Sequence, residues 1–222
     1  MVHEIVKSKY RIFIETLFFT LLILLIGFLL GVLIEYSRTN EIISDYKDFE
    51  VRGMDLRLQN YYYQVMDESL CREAINQNLI FADDIYNEGL LIQKYEDAND
   101  LSEGLLLEKK RYVLLKTELW FNSILLKNKC NEPFHTVVYI YSQTNDLVKE
   151  AEQDSISKTL QKIKEEKGNQ IILIPIAGDI GLDIVDTQLR TYNITYLPSV
   201  LIDEKYLLNG FQKEEDILKY LN

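Results

Sequence analysis

One uninterrupted apolar run near the N-terminus is the strongest pattern in the chain. Residues 16–34 read TLFFTLLILLIGFLLGVLI and carry no charged side chain over 19 positions. At about 1.5 Å per residue, a helix of this length extends about 28 Å, which matches the hydrocarbon core of a bilayer. The run therefore predicts a transmembrane helix. The next residues, EYSRTNE, contain no small-residue cleavage pattern, so we expect a retained anchor and not a removed signal peptide.

The charges on either side of this run predict its orientation. Lys7, Lys9 and Arg11 lie just before it, whereas acidic residues dominate the segment that follows. The positive-inside rule therefore places the N-terminus in the cytoplasm and everything from about residue 36 outside, as a single-pass cell-membrane protein in contact with the lipid bilayer. Within the run, Gly27 and Gly31 have the GxxxG spacing that lets two transmembrane helices pack closely, which would support a homodimer.

Residues 38–130 contain no proline and show helical periodicity. Apolar positions recur every three or four residues and predict helices near 39–66, 68–98 and 101–128. Turn-forming residues interrupt the pattern between these segments. We expect the many tyrosines, including 61–63, to pack inside a helical bundle, and an exposed recognition patch is the alternative. The first predicted helix carries a stripe at this spacing, formed by Val51, Met54, Leu58, Tyr61 and Val65.

The two cysteines are placed symmetrically about the second predicted turn. If the second and third helices fold back antiparallel at 99–100, Cys71 and Cys130 become mirror positions at the open end of the hairpin. A compartment outside the cell is commonly oxidising, so a disulfide is expected there. Closing a loop of about 60 residues would stabilise the fold by about 4 kcal/mol in the chain-entropy model. Two unrelated free thiols, or a redox-active pair, are the alternatives.

The pattern changes to alternating strands and helices after His135. β-Branched and aromatic runs predict strands, and amphipathic stretches predict helices, in the order β-α-β-α-β-β-α. The predicted strands are 136–141, 171–176, 198–203 and 206–211, and the predicted helices are 146–167, 182–192 and 214–221.

The second half of this region carries a family resemblance. In ITYLPSVLIDEKYLLNGFQKEEDILKYL, Pro198 and Ser199 precede an apolar strand, and Gly210 precedes a terminal helix. Together with the element order, this segment resembles the thioredoxin-like superfamily. The resemblance implies a four-stranded fold and a cis Leu197–Pro198 bond. It also implies a second strand at the sheet edge, where Pro175 is tolerated because a proline cannot donate to a central ladder.

The chain departs from that family at its redox site. Redox-active members place Cys-x-x-Cys after the first strand, at a helix start that lowers the thiol pKa. Here Asn145 and Val148 stand at about those positions, and no cysteine follows Cys130. Thiol–disulfide exchange at this position is therefore chemically impossible.

These patterns predict a membrane-anchored α+β protein with three parts. Residues 1–35 form a cytoplasmic tail and transmembrane helix, and 36–130 form a helical hairpin or bundle stalk. Residues 131–222 form a four-stranded thioredoxin-like α/β domain.

Charge and composition exclude several function classes. The net charge of −11 disfavours a nucleic-acid partner, and the two widely separated histidines disfavour a zinc site. No recognisable catalytic motif is present, so we expect no catalytic residue, metal or cofactor. Asn193 begins an N-glycosylation sequon on the predicted outer side.

Because the family's redox cysteines are absent from this chain, the resemblance implies a binding function. The family's groove beside the cis-proline holds extended polypeptide by strand-like pairing, which needs no thiol. We therefore predict a protein or peptide partner. The alternatives are an atypical oxidoreductase that uses Cys71 and Cys130, and an architectural anchor that dimerises through the span. The groove residues are Thr144, Asn145, Val148, Leu197, Pro198 and Ser199.

Overall fold

The protein is mostly helical and contains one four-stranded mixed sheet. It divides into two compact units, Met1–Val51 and Arg52–Asn222, and the division falls within helix α1 (Val2–Val65). The predicted boundaries at 35 and 130 stay predictions. The computed structural model describes residues 2–65, 68–98, 103–130, 134–143 and 146–221.

The first unit contains the apolar helical segment Tyr10–Ile34. Its 25 residues have a mean hydropathy of 3.1, and it is long and apolar enough to cross a membrane. Its two threonines bond within the helix, since Thr16 Oγ1 donates to Phe13 O (2.9 Å) and Thr20 Oγ1 donates to Thr16 O (2.8 Å). This local bonding avoids the cost of an unpaired hydroxyl in an apolar environment.

Helices α2 (Cys71–Ala98) and α3 (Glu103–Cys130) form the predicted antiparallel hairpin. The predicted Cys71–Cys130 disulfide is confirmed, with a Cα–Cα distance of 5.5 Å. Asn78 Nδ2 donates to Ser123 Oγ (3.0 Å), and these residues are mirror positions about the same midpoint as the cysteines. The pairing of the two helices is therefore in one register over this distance.

The face of α1 that packs against this hairpin is not the one that the tyrosine-rich pattern predicts. Gly53, Leu56 and Asn60 are buried, and a Cβ atom at Gly53 would overlap the side chain of Leu115. Close approach at this glycine brings the opposite face outward. The expectation that the tyrosines pack inside the bundle is wrong for Tyr61 and Tyr62, which are 59% and 52% exposed.

The sheet confirms the predicted order of elements. The strands are β1 (His135–Tyr141), β2 (Ile171–Ala177), β3 (Ser199–Ile202) and β4 (Tyr206–Asn209), and the helices are α4 (Leu147–Lys167), α5 (Asp183–Thr191) and α6 (Glu214–Leu218). Strand β1 pairs parallel with β2 and antiparallel with β3, and β3 pairs antiparallel with β4. The strand order is β2-β1-β3-β4.

Helices cover both faces of the sheet. Alternate residues of β1 point to opposite sides, so Val137 packs towards α4 and α6 whereas Ile140 faces α3 and α5. Trp120 of α3 is buried on the second side and contacts Tyr192, with ring centroids 5.5 Å apart. The hairpin helix α3 is therefore a layer of the sheet's own core.

The edge strand β2 is covered by helices. Pro175 lies in this strand, at the sheet edge where a missing N–H is tolerated. Both α2 and α3 pack against β2, and Gln161 Nε2 of α4 donates to Tyr86 Oη of α2 (3.1 Å). A covered edge cannot recruit an additional strand.

Candidate functional site

The carboxyl ends of the parallel strands β1 and β2 lie at the same end of the sheet. Gly178 N, just after β2, donates to Tyr141 O at the end of β1 (2.7 Å). A Cβ atom at Gly178 would lie 2.9 Å from both Ile140 Cγ2 and Leu197 Cδ1, so a larger residue here would require one of these side chains to shift. Crevices at the carboxyl ends of parallel strands are common ligand sites in α/β sheets.

The segment before β3 runs along this end of the sheet. The Leu197–Pro198 peptide bond is cis, as the resemblance implies. Pro198 O accepts from Gly210 N (2.8 Å), and Ser199 Oγ donates to Tyr196 O (2.6 Å). Ser199 is fully buried and its hydroxyl is used inside the fold. It therefore supports the surface from beneath, and a substitution there would test folding and not contact with a ligand.

The loop that leaves β1 is fixed by one glutamine. Gln153 Oε1 accepts from Ser142 N (2.7 Å), and Gln153 Nε2 donates to Ser142 O (3.1 Å). Tyr139 Oη donates to Gln153 O (2.9 Å), and burial raises the pKa of Tyr139, so this phenol stays protonated. Thr144 and Asn145, which the sequence assigned to the groove, lie outside the described residues.

Helix α4 begins at the same end of the sheet and carries exposed apolar residues on its first turn. Asp146 caps the helix by accepting from Val148 N at its Oδ1 (2.9 Å). Leu147 is 78% exposed and Val148 is 80% exposed. Val148 lies one turn before Glu152, on the same side of the helix.

Glu152 connects that helix face to two exposed aromatic residues. Its Oε1 accepts from Phe211 N (3.0 Å), and a Cβ atom at Gly210 would lie 3.2 Å from this oxygen and 3.6 Å from Tyr196 Cε1. Tyr196 is 49% exposed and Phe211 is 52% exposed. We call four exposed apolar residues at this end of the sheet the strand-end patch: Leu147, Val148, Tyr196 and Phe211.

The opposite end of the sheet carries a polar cluster that the sequence analysis missed. Asp203 Oδ2 lies 2.7 Å from His135 Nδ1, Asp203 Oδ1 accepts from Thr136 N (3.1 Å), and Lys127 Nζ bonds to the same carboxylate. These contacts join the β3–β4 turn to the end of α3 and the start of β1. An acidic pair between two strands was the available signal, but it indicated only a turn.

Glu204 completes this cluster. Its Oε1 accepts from Trp120 Nε1 (2.7 Å) and Thr136 Oγ1 (2.8 Å). Burial raises the pKa of Glu204, and these hydrogen bonds offset only part of that effect. Burial also opposes ionisation of Asp203, but the hydrogen bonds from Lys127 and His135 outweigh it and lower the pKa of Asp203. We call Asp203, Glu204 and their partners the turn cluster.

The other predicted site residues lie apart from the strand-end patch. Cys71 and Cys130 are half-buried and bonded to each other, so neither is a free thiol. Asn193 is exposed after α5 with φ 54°, a conformation that asparagine tolerates at helix ends. A Cβ atom at Gly27 or Gly31 would meet nothing within 4 Å.

No model of a known protein family and no curated protein sequence matches this chain. Within the described ranges, no group of three or more His, Cys, Asp or Glu side chains is arranged to hold a metal ion. What the strand-end patch offers a ligand is apolar surface next to strand termini.

Proposed function

We propose that this chain is a single-pass membrane-anchored, extracytoplasmic thioredoxin-like protein that binds polypeptide without thiol chemistry. The strand order β2-β1-β3-β4, with one parallel and two antiparallel pairs, supports the fold assignment. The apolar segment Tyr10–Ile34 supports the anchor. The basic residues before that segment support a cytoplasmic N-terminus.

The strand-end patch carries the binding proposal. Four apolar side chains, each about half exposed or more, lie at the end of the sheet where β1 and β2 finish. Several exposed apolar side chains at one end of a sheet commonly mark an interaction site. The patch is next to the ends of β1 and β2 and to the cis Leu197–Pro198 segment, where an extended chain can make apolar contacts. In this role the protein is an adaptor, a chaperone-like holder or an assembly subunit.

Charge placed on the patch tests this proposal. Tyr196→Arg and Val148→Arg in the detergent-solubilised full chain are each expected to weaken binding to an array of unfolded peptides by about tenfold. The physical reason is that a buried guanidinium would lack a partner in an apolar contact. Ser157→Arg, at an exposed position further along α4, is the matched control and is expected to bind like the unchanged protein. Equal binding by all the variants would contradict the proposal.

A second candidate is thiol exchange at Cys71 and Cys130. The disulfide itself favours it, since both residues are half-buried and not completely enclosed. Exchange requires a thiolate to attack one of these sulfurs. Rapid reduction of the native protein by a mild thiol reductant, with restored oxidation by a partner disulfide, would favour this candidate. A bond that resists the reductant until the protein unfolds would favour a structural role.

A further inference from the structure

An exposed apolar stripe follows the last part of α1. Met54, Leu58, Tyr61 and Val65 are 51%, 66%, 59% and 76% exposed. They are separated by four, three and four residues, which is the alternation of the a and d positions in a coiled coil. We call these four residues the α1 stripe.

The fold of the same unit directs this stripe away from the hairpin. Between residues 52 and 65, the buried residues of α1 are Gly53, Leu56 and Asn60, and at about 100° per residue their side of the helix lies about 140° from the stripe. Two ion pairs hold that side, with Arg52 Nη1 bonded to Asp84 Oδ2 (2.9 Å) and Arg57 bonded to the Glu118 carboxylate. The stripe is therefore a second apolar face of a helix whose first face is already packed.

We propose that the α1 stripe pairs with the same stripe of a second copy of this chain, as a short parallel two-stranded coiled coil. An a/d stripe is self-complementary, because identical positions meet across a two-fold axis. The two-fold axis places each stripe residue opposite its own copy, so Leu58 meets Leu58 and Tyr61 meets Tyr61. The proposal uses the membrane anchor of the proposed function and does not depend on peptide binding.

The size of the stripe determines where the dimer forms. Four side chains per copy cover less than the roughly 1,000 Å² of total area that a stable interface in solution needs. Confinement in a membrane raises the effective concentration of the second copy and offsets this deficit. We therefore expect the full chain to dimerise in a bilayer and not when it is diluted in detergent. The interface is distinct from Gly27 and Gly31, which lie in the apolar span.

Single cysteines report the geometry directly. The native cysteines are bonded to each other, so one introduced cysteine provides a free thiol for a short bismaleimide crosslinker. In full chain reconstituted in phosphatidylcholine vesicles, Leu58→Cys and Tyr61→Cys are expected to give covalent dimers in about fivefold higher yield than two controls. The controls are the exposed positions Gln64→Cys, on the same helix, and Asn76→Cys, on α2. Equal yields at all four positions, or no dimer at any, would overturn the proposal.

Charge on the stripe gives a second readout. Leu58→Lys combined with Tyr61→Lys is expected to lower the dimer fraction in vesicles about tenfold, measured by energy transfer between labelled copies. The thermal unfolding midpoint should be unchanged because both side chains are exposed. Asn76→Lys combined with Ser157→Lys is the control. A dimer that survives the first pair, or that is lost only with Gly27→Ile and Gly31→Ile, would overturn the proposal. If the first pair unfolds the chain, the crosslinking comparison decides.

Discussion

The two ends of the sheet are built in opposite ways. At the turn cluster, the carboxylates of Asp203 and Glu204 bond to α3 and β1. At the strand-end patch, Tyr196 and Phe211 are about half exposed and Val148 is 80% exposed. The first end joins layers of the core, whereas the second leaves apolar surface in water. The first end therefore adds contacts within the fold, and in the proposed function the second end is where a polypeptide binds.

The turn cluster also tolerates an unfavourable backbone. Asp203 and Glu204 have φ angles of 51° and 56°, in the left-handed region that glycine or asparagine usually occupies in tight hairpins. This conformation costs about 1 kcal/mol or more for a residue such as glutamate. The contacts to Trp120, Lys127 and Thr136 offset that cost. Replacement of the turn by Asn-Gly would relieve the backbone but remove these contacts.

The largest expected effect is loss of the disulfide beside the turn cluster. Cys130 ends the same helix that carries Lys127. Cys71→Ser combined with Cys130→Ser is expected to lower the free energy of unfolding by about 4 kcal/mol, because the bond joins two residues that are 59 positions apart in sequence. Denaturant unfolding of the full chain measures it. A loss below about 1 kcal/mol would show that the unfolded chain gains little freedom from the missing bond.

Removal of one turn carboxylate is the next largest effect. Asp203→Ala leaves Lys127 and His135 without their acceptor and is expected to cost about 2–3 kcal/mol. Asp154→Ala, at an exposed position on α4, is the control and should change stability by less than about 0.5 kcal/mol. Similar stabilities for the two variants would remove the stabilising role assigned to this end.

The pH dependence of Glu204 sharpens the comparison further. Its folded pKa is raised above 4.5, so its contribution to stability is fully present below that value and is lost as pH rises through the folded pKa. Asp203 has a lowered pKa, so its contribution is present above 3.8 and is lost as pH falls. Glu204→Gln removes the first titration. We expect the thermal midpoint of this variant, relative to the unchanged protein, to rise between about pH 4 and pH 7. A constant difference would contradict the assignment.

The smallest expected effect on stability is at the strand-end patch. Phe211→Ser removes a ring that is 52% exposed and should lower the free energy of unfolding by about 1 kcal/mol, less than the loss of Asp203. The same substitution is expected to weaken peptide binding several-fold, because the ring is available to a ligand. Calorimetry and peptide titration on one sample separate these effects. A large stability loss would mean that the patch belongs to the core.

Local patterns predicted much of the fold. The mirror positions of Cys71 and Cys130 followed from hairpin symmetry, and the order of strands and helices after His135 followed from periodicity. The edge position of β2 was suggested by Pro175, because proline cannot donate to a central ladder.

Features that depend on distant contacts could not be predicted. Gly53 lies on the buried face of α1 beside Leu115 of α3, a residue far from it in sequence. The turn cluster joins Glu204 to Trp120, 84 positions apart in sequence. In the strand-end patch, Phe211 N bonds to Glu152 Oε1 and Gly210 lies beside Tyr196, whereas the resemblance implies a groove around Leu197 and its neighbours. The spacing of apolar residues along the chain contains no information on contacts between residues that are distant in sequence.

A photocrosslinker placed at each end of the sheet tests the central claim most directly. Benzoylphenylalanine at Tyr196 reports on the strand-end patch, and the same group at the exposed Lys205 reports on the turn cluster. In the full chain with a denatured model polypeptide, we predict crosslinks from position 196 and none above background from position 205. Equal crosslinking from both ends, or crosslinking from position 205 alone, would contradict the account.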